Sequence, residues 1–267
     1  MNSRLSGPLA WLLLPVTGAV LVFILAPLAV TIAISFNDAP FVVFPPRGPT
    51  FKWYGQVFHD TEFLDSLVFS TELALAATGG ALLLGVPAAF AVVRGRLAGR
   101  EAVAALLLSP LVFPVLITGV ALLQLFSMLR SDDTALNLFV AHVLVTLPYV
   151  VRTVTASLVL ADRTLEEAAQ TLGAGRWRVF RRVTVPQIAP GLAAGALFAF
   201  MVSFDNFPIS MWLADAQHNP VPLLIFQRIA NFFEPSLAAI STLLIGFALA
   251  VVLVVERVAG LRRGLAM

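Results

Sequence analysis

The most informative absences in this sequence are those of charge and of cysteine. Only 12% of the 267 residues are charged and 59% are hydrophobic, whereas soluble domains carry roughly 25% charged and about 45–50% apolar residues. Such a chain cannot cover its surface with polar groups, so lipid has to act as part of its solvent. Because the chain has no cysteine, disulfides, thiol nucleophiles and cysteine metal sites are excluded.

Lysine is almost absent too. The single lysine, Lys52, lies outside any G-x4-G-K-[ST] pattern, the loop in which a lysine contacts the β- and γ-phosphates of a nucleotide. The sequence also contains no H-E-x-x-H and no G-x-S-x-G motif, which are signatures of metalloproteases and α/β-hydrolases. We therefore expect a chain that is not an enzyme and that has no cofactor, metal ligand or catalytic residue of its own. If the chain takes part in active transport, a partner or an ion gradient has to supply the energy.

Apolar stretches long enough to cross a bilayer, which takes about 20 residues, occur six times. They cover residues 9–35, 66–93, 103–128, 136–158, 191–213 and 237–255. The first stretch exceeds the 7–15-residue core of a signal peptide, so we expect it to be retained. The predicted fold is an all-α membrane protein with six transmembrane helices, forming one membrane domain over residues 1–267.

The distribution of arginine predicts the orientation of these spans. Twelve of the 17 basic residues fall in one set of tails and connections, and four fall in the alternate set, which also holds eight acidic residues. Cytoplasmic loops carry the excess of arginine and lysine. Both termini and the connection 161–190 are therefore predicted to be cytoplasmic, and the connection 37–65 to be periplasmic. The chain lacks the polar shell that would present its arginines to nucleic acid, so no nucleic-acid partner is expected.

Several local features carry expectations about shape. Trp53 and Tyr54 in the connection 37–65 suit a segment that lies at the membrane interface, and residues 214–236 are expected to dip partly into the membrane. Gly191 and Gly195 form a small-residue stripe that allows close helix packing, within the chain or across a dimer. Prolines inside the predicted spans are plausible bend points; they are Pro15, Pro27, Pro87, Pro110, Pro114 and Pro148.

The connection 161–190 is predicted to hold two short amphipathic helices. Thr164 with Glu167 three residues later fits a capping box, and Gly173 and Gly175 permit the turn that ends the first helix. Trp177 and Phe180 begin a second stretch rich in arginine, which Pro186 and Pro190 are expected to stop before the fifth span. Such an exposed apolar and charged edge favours a protein partner, and an interfacial helix lying on anionic lipid is equally compatible with the pattern.

A resemblance decides between these two interpretations. Glu167-Ala168-Ala169, Gly173 after three residues, and Val183-x-Val185-Pro186 after nine more resemble the EAA loop of binding-protein-dependent ABC importer permeases, E-A-A-x3-G-x9-I-x-L-P. Val183 and Val185 depart mildly from the family's Ile and Leu. The resemblance implies that this loop is the coupling helix, inserted in a groove of a separate ATPase subunit. Its coupling residues would be Glu167, Ala168, Ala169, Gly173, Trp177, Phe180 and Pro186.

The resemblance extends over nearly the whole chain and points to the spermidine/putrescine-type branch. It includes residues 27–37 (P-L-A-V-T-I-A-I-S-F-N), 51–54 (F-K-W-Y), 84–91 (L-G-V-P-A-A-F-A), 147–152 (L-P-Y-V-V-R) and 203–206 (S-F-D-N). It implies a type I importer in the bacterial inner membrane that works by alternating access. The implied partners are a second, similar permease, two ATPase subunits that bind ATP and magnesium, and an extracytoplasmic solute-binding protein.

Charged and polar residues inside predicted spans are the candidate substrate path, because such residues are costly in a membrane. The candidates are Asp205, Asn206, Ser203, Glu72 and Arg152. Asp205 would suit a cationic solute, and its alternative role is an internal ion pair, for example with Arg152. Glu72 is equally compatible with a place near the outer headgroups, and Arg152 with a pairing to the loop or to lipid phosphate. His142 and Gln124 are expected to make ordinary helix–helix contacts.

Other functions remain open on the residues alone. The cargo suggested by the resemblance is a polyamine, and an aminophosphonate is the alternative within the same architecture. An ion-coupled secondary transporter usually contains internal repeats, and no clear repeat is visible here. A membrane-embedded enzyme would need ionisable residues clustered at one depth, whereas those of this chain are scattered along the spans.

Overall fold

The computed structural model describes residues 8–41, 43–96, 98–231 and 234–259. Arg4, Arg262 and Arg263, which contributed to the predicted orientation, lie outside these ranges. The described ranges hold twelve α-helices and, in place of strands, a single isolated bridge between Asn37 and Pro49. The helices are α1 (Pro8–Ser35), α2 (Lys52–His59), α3 (Thr61–Arg94), α4 (Arg100–Leu108), α5 (Val115–Met128), α6 (Thr134–Leu160), α7 (Arg163–Thr171), α8 (Arg176–Val179), α9 (Val185–Phe204), α10 (Phe207–Leu213), α11 (Val221–Asn231) and α12 (Ser236–Ala259).

The all-α membrane fold is confirmed. Among the described residues, five helical segments are long and apolar enough to cross a membrane, and the number is six if a bent pair of helices is counted as one span. The chain divides into two compact units, residues 1–61 with 227–247 and residues 62–226 with 248–267. A single membrane domain over residues 1–267 stays a prediction.

The second span is longer than expected. Helix α3 has 34 residues, which at 1.5 Å per residue is about 51 Å, well beyond a hydrocarbon core of about 30 Å. It begins five residues before the predicted span, at Thr61, and ends one residue after it, at Arg94. Both ends of α3 therefore project past the apolar layer.

The third predicted span, residues 103–128, is not a continuous helix. Helix α4 and the 3₁₀ turn Ser109–Leu111 meet α5 at a bend of 99°. Pro110 lies in the 3₁₀ turn and Pro114, in an extended conformation, immediately precedes α5. Because proline cannot donate a backbone hydrogen bond, the two prolines separate the halves. In contrast, helices α1, α3 and α6 continue through Pro15, Pro27, Pro87 and Pro148.

The fifth predicted span, residues 191–213, is shifted and broken. Helix α9 ends at Phe204, and α10 starts anew after Asn206, whose Oδ1 accepts a hydrogen bond from the N–H of Ile209 at 3.1 Å. Pro208 in the first turn of α10 has no N–H for the carbonyl of Phe204, and its position there favours a helix start, where that N–H is not needed. The prediction that one helix reaches Leu213 is wrong.

At its other end α9 extends back into the connection. The five residues Phe180–Thr184 wind as a π-helix that joins α8 to α9, and the N–H of Val185 bonds to the Phe180 carbonyl. Pro186 lacks the N–H that an α-helix would direct to residue 182, and the wider turn accommodates this loss. Pro186 and Pro190 lie within or at the start of α9, so the prediction that they stop the helix is wrong.

Helices α6 and α9 pack very closely. A Cβ at Gly191 would lie 2.2 Å from Ser157 Oγ, and a Cβ at Gly195 would lie 2.5 Å from Thr153 Oγ1. Only glycine fits at this distance of approach, as in other membrane helix pairs. The small-residue stripe therefore packs within the chain, and it fixes the depth of α9 and of the residues at its ends.

In the unit that contains α1 and α2, the predicted interfacial aromatics point inward. Trp53 is buried and its Nε1 donates to the carbonyl of Asn37 at 2.6 Å, while the Tyr54 hydroxyl lies 2.6 Å from Ser35 Oγ. The polar ends of both side chains thus bond within the chain, and a place for this segment at the membrane interface stays a prediction. Among the described residues of the connection 37–60, the exposed aromatic side chains are Phe41, Phe44, Phe51 and Phe58.

Candidate functional site

Two residues, Ala161 and Asp162, separate the end of α6 from the start of α7. The Asp162 carboxylate caps it by accepting hydrogen bonds from the N–H and the hydroxyl of Thr164, both at 2.8 Å. These bonds lower the pKa of the Asp162 carboxyl below its ordinary value. The predicted cap at Thr164 with Glu167 is therefore wrong, because the extended backbone at Asp162 already supplies an equally good capping side chain.

Helix α7 ends in a Schellman motif. The N–H of Gly173 bonds to the Gln170 carbonyl at 2.9 Å and the N–H of Ala174 to the Ala169 carbonyl at 3.0 Å. Gly173 has φ of +86°, a left-handed conformation that glycine adopts without strain. The prediction that Gly173 permits the turn is confirmed, and the turn sets the direction in which α8 leaves α7.

The remaining predicted residues of α7 lie on its accessible side. Glu167 and Ala168 are exposed and Ala169 is half-buried, and no residue of α7 is fully buried. Beside them Leu172 keeps 88% of its surface exposed and Trp177 keeps 72%. The four arginines around Trp177 are exposed as well: Arg176, Arg178, Arg181 and Arg182. The connection thus presents a mixed apolar and cationic surface.

Phe180 and Pro186 sit closer to the spans. The Phe180 ring stacks on Trp177 with 5.4 Å between ring centroids and contacts Phe90 of α3 at 5.6 Å. Pro186 is exposed in the first turn of α9. Phe180 therefore packs against α3, and its ring supports the exposed surface that Trp177 and the arginines form.

Two residues that the sequence analysis did not select, Arg94 and Glu166, hold α7 against α3. Arg94 Nη1 lies 2.6 Å from both carboxylate oxygens of Glu166, and Thr184 Oγ1 donates to Glu166 Oε1 at 2.7 Å. Successive residues on a helix face different directions, and of the pair Glu166-Glu167 it is Glu166 that faces α3 while Glu167 is exposed. The two adjacent glutamates, together with an arginine at the end of a span, are the sequence signal that could have identified the contact.

A second contact closes the connection at its base. Gln187 Oε1 accepts from the N–H of Asp162 at 2.8 Å, and Gln187 Nε2 donates to the Asp162 carbonyl at 3.5 Å. The end of α6 and the start of α9 are therefore joined directly. With the Arg94 contact, this junction holds α7 at a defined place relative to α3, α6 and α9.

Two of the five substrate-path candidates are structural in this chain. Ser203 is buried and its hydroxyl lies 2.8 Å from Nδ1 of His142 on α6. Asn206 is buried as the cap of α10. The expectation that His142 makes a helix–helix contact is confirmed. Gln124, in contrast, is exposed on α5.

The other three candidates are the charged ones, and all three are exposed. Asp205 lies at the break between α9 and α10, Glu72 on α3 and Arg152 on α6. Within the part of the chain that the structure describes, none of the three side chains makes an ion pair or hydrogen bond. The alternative of an Asp205–Arg152 pair is therefore wrong.

These sites can act through mechanical contact and through charge. Among the described residues, no group of three or more His, Asp or Glu could hold a metal ion. What the arrangement offers is a rigidly seated loop with an exposed apolar surface, and three unpaired charges on helices long enough to span a membrane.

Comparison with known sequences identifies the family. Residues 81–261 match the family described as the binding-protein-dependent transport system inner membrane component. The putrescine transport system permease protein PotI of Escherichia coli K12 is 33% identical over 231 residues, 84% of this chain and 82% of the relative. The spermidine/putrescine transport system permease protein PotC of Haemophilus influenzae is 28% identical over 230 residues, 86% and 89% of the two chains.

Solved structures agree on the fold. A bacterial ABC transporter that imports the acidic polysaccharide alginate matches with a TM-score of 0.73 at 17% identity, covering 96% of this chain and 98% of the other. An amino acid ABC transporter matches with a TM-score of 0.59 at 16% identity, covering 80% and 99%. At these levels of sequence identity, the structural matches show the fold and nothing more. Together with the family match, which covers residues 81–261, they show that the chain is a multi-pass permease subunit of an ABC importer and belongs to the family of inner membrane components of binding-protein-dependent transport systems.

Proposed function

We propose that this permease imports a small cationic solute of the polyamine class. The observation that carries the proposal is the exposed and unpaired carboxylate of Asp205 at the break between α9 and α10. A charged side chain inside a membrane avoids lipid and faces a water-filled path or a partner subunit. The names of the relatives, which are putrescine and spermidine/putrescine permeases, support the same class of cargo. Glu72 adds a second unpaired carboxylate, and Ser203 and Asn206 hold the backbone around Asp205 in place.

In this proposal α7 and α8 are the docking element for an ATPase subunit. The exposed side chains of Leu165, Leu172 and Trp177 supply an apolar contact, and Glu167, Ala168, Ala169 and Gly173 shape the helix that presents it. Exposed apolar groups rimmed by polar ones are typical of protein interfaces. The short connection between α6 and α9 would then pass the movement of the ATPase to the spans.

The assembly proposed around this chain has five subunits besides the cargo. They are this chain, a second and similar permease, two ATPase subunits that bind ATP and magnesium, and a soluble binding protein on the outer side. The chain itself is proposed to have no catalytic activity and no cofactor. It is placed in the bacterial cytoplasmic membrane with α7 on the cytoplasmic side, as the arginine distribution favours.

Uptake of labelled putrescine and spermidine by the complete importer in liposomes tests the cargo. Both solutes should be taken up at the expense of ATP, and Asp205→Asn should reduce uptake while the complex still assembles. Asp132→Asn, at an exposed carboxylate in the connection between α5 and α6, is the matched control and should leave uptake unchanged. Normal polyamine uptake by Asp205→Asn would remove Asp205 from the path.

Association with the ATPase subunits tests the loop. Leu172→Asp puts a charge at the centre of the exposed apolar surface and should abolish co-purification of the ATPase. Leu129→Asp alters another exposed leucine, directly after α5, and should leave association intact. Equal association in both variants would show that α7 is not the docking element.

A zwitterionic aminophosphonate is the second candidate cargo. The specific observation that favours it is the exposed and unpaired guanidinium of Arg152, since arginine is well suited to bind phosphonate oxygens. Uptake of a labelled aminophosphonate that is lost in Arg152→Gln, with no uptake of polyamines, would support this cargo over the first.

A further inference from the structure

Helix α7 has little to hold it in place on its own. It has nine residues and none of them is fully buried, and isolated helices of this length are marginal in water. Its attachments are the cap at Asp162, the turn at Gly173, a hydrogen bond from Arg163 Nη2 to the Val93 carbonyl at 3.5 Å, and the Glu166 carboxylate, which pairs with Arg94 and accepts from Thr184. The ion pair is the shorter of the two polar contacts to α3 and therefore does most to set where α7 sits relative to that helix.

The ion pair joins the first turn of α7 to the last residue of α3. Arg94 Nη1 contacts both oxygens of Glu166 at 2.6 Å, and the two side chains keep only 17% and 14% of their surface exposed. Charge-assisted contacts of this length are strong and directional. Nε and Nη2 of Arg94 are buried and make no hydrogen bond among the described residues. Glu166 is thus the acceptor on which the guanidinium depends.

Glu166 also reaches a third element. Its Oε1 accepts a hydrogen bond from Thr184 in the π-helical turn that leads into α9. On the opposite side the Arg94 guanidinium lies over the Phe90 ring, 5.5 Å from its centroid, and Phe90 in turn contacts Phe180. One carboxylate therefore ties together the ends of α3, α7 and α9, and an aromatic contact repeats the connection between α3 and the π-helical turn.

We propose that Arg94 and Glu166 are positioning residues for energy coupling, through which a displacement of α7 is passed to α3. Covalent continuity already joins the connection to α6 and α9, whereas α3 is reached only through side chains. With the Arg94–Glu166 contact intact, α3 has to follow α7. Without it, the long hydrogen bond from Arg163 to the Val93 carbonyl and the contact of Phe90 with Phe180 remain, and α3 follows α7 less closely. The inference rests on the proposed docking of α7 on an ATPase.

The test compares cargo uptake with ATP hydrolysis in the same liposomes containing the complete importer. Arg94→Met and Glu166→Gln should lower the number of solute molecules imported per ATP hydrolysed by at least about fivefold, the lower end of typical coupling between sites. The ATPase should still co-purify, because the exposed surface of α7 is unchanged. Arg96→Met and Glu101→Gln, at exposed residues nearby, are the controls and should keep the ratio of the unmodified chain.

Charge reversal separates a positioning role from a merely structural one. The double variant Arg94→Glu with Glu166→Arg recreates the pair in the opposite sense and should recover most of the coupling ratio that either single variant loses. Two results would overturn the inference. One is a normal number of solute molecules imported per ATP in single variants that assemble; the other is a reduced number in those variants that the charge reversal does not restore. If neither single variant assembles, Glu166→Asp decides, because it keeps the charge on a shorter side chain: a reduced ratio supports the proposal and a normal ratio refutes it.

Failure of the underlying function has a different signature. If α7 is not the docking element, Leu172→Asp keeps the ATPase bound and the uptake coupled. If only the inference about Arg94 and Glu166 is wrong, Leu172→Asp loses the ATPase while Arg94→Met and Glu166→Gln import with a normal ratio. The two results cannot be confused.

Discussion

The two long connections of the chain, residues 37–60 and 161–184, are held in place by different chemistry. The first buries neutral groups: Asn37 is fully buried and its side chain bonds to the backbone of Phe41 and Arg47, with Trp53 and Tyr54 packed beside it. The second has one part-buried ion pair and leaves Leu172 and Trp177 exposed. The difference shows that the first connection is fixed by its own buried polar groups, whereas the second depends on a charged contact to another helix.

The largest effect is expected at the ion pair of the second connection. Glu166→Ala leaves the Arg94 guanidinium buried without its acceptor, and breaking such a pair costs about 3–5 kcal/mol. Backbone amides of α7 should then exchange hydrogen much faster. Glu101→Ala, at an exposed acid, is the control, and equal exchange in α7 for both variants would contradict the proposed role of the pair.

The first connection should respond to the loss of one neutral side chain. Asn37→Ala leaves the N–H of Arg47, which now donates to Asn37 Oδ1 at 2.7 Å, and the Phe41 carbonyl without their partners, which costs about 1–3 kcal/mol. Thermal unfolding of the purified permease measures this change. Gln56→Ala on the exposed side of α2 should change stability far less, and a similar loss in both would mean that Asn37 does not organise the connection.

The turn after α7 should show a smaller effect. Gly173→Ala forces an alanine into the left-handed region, at a cost of roughly 1–2 kcal/mol, although there is open space around the added methyl group. Gly175→Ala is the matched control, because Gly175 has φ of −66° and equally open surroundings. Hydrogen exchange checks this expectation when it is measured for Gly173 and Ala174 in the parent chain and for α7 in both variants. Equal protection of α7 in Gly173→Ala and Gly175→Ala would argue against backbone strain.

The exposed ion pair of the first connection should matter least among the contacts. Lys52 Nζ lies 2.7 Å from Asp38 Oδ1, but the side chains are 42% and 62% exposed, and pairs of this kind contribute at most about 1 kcal/mol. Asp38→Asn should therefore shift thermal unfolding slightly, and the shift should shrink in high salt. A loss as large as that of Glu166→Ala would reverse the contrast between the two connections.

The pH dependence of the cap on α7 adds a further test to the comparison of the two connections. Hydrogen bonds from Thr164 lower the pKa of the Asp162 carboxyl in the folded chain. A depressed pKa means that the cap stabilises α7 above the ordinary pKa of 3.8 and is lost as the pH falls through the lower, folded-state value. NMR titration should place this carboxyl below 3.8, and Thr164→Ala should bring it back towards 3.8. An unchanged titration in Thr164→Ala would exclude Thr164 as the cause.

Periodicity and hydropathy predicted the spans well where the chain is continuously apolar. Helices α1, α6 and α12 lie within two residues of the predicted spans at their start and within four at their end, because a bilayer leaves an apolar segment no alternative to a helix. The prolines were ambiguous, since Pro148 lies inside α6 while Pro110 and Pro114 separate α4 from α5. Whether a helix tolerates a proline depends on the neighbours that surround it, and those are tertiary.

The candidate sites were predicted unevenly. The loop with Glu167, Gly173 and Trp177 was found from its spacing, yet Arg94 and Glu166 were missed because residues 72 positions apart leave no local pattern. Ser203 and Asn206 looked like path residues by their place in an apolar stretch, and packing gave them internal partners. Asp205 could not be separated from them by sequence alone, because exposure is a property of the folded chain.

The sequence by itself determined that this is an all-α membrane protein, where its continuously apolar spans lie and which short connection carries a permease signature, because hydropathy and spacing are local properties. Only the tertiary structure decided that Gly191 and Gly195 bring α9 against α6, that Glu166 turns inward to Arg94 while Glu167 stays outside, and that Asp205 is left without a partner. These outcomes depend on helices that meet across long stretches of chain, and packing geometry, which hydropathy does not encode, selects among them.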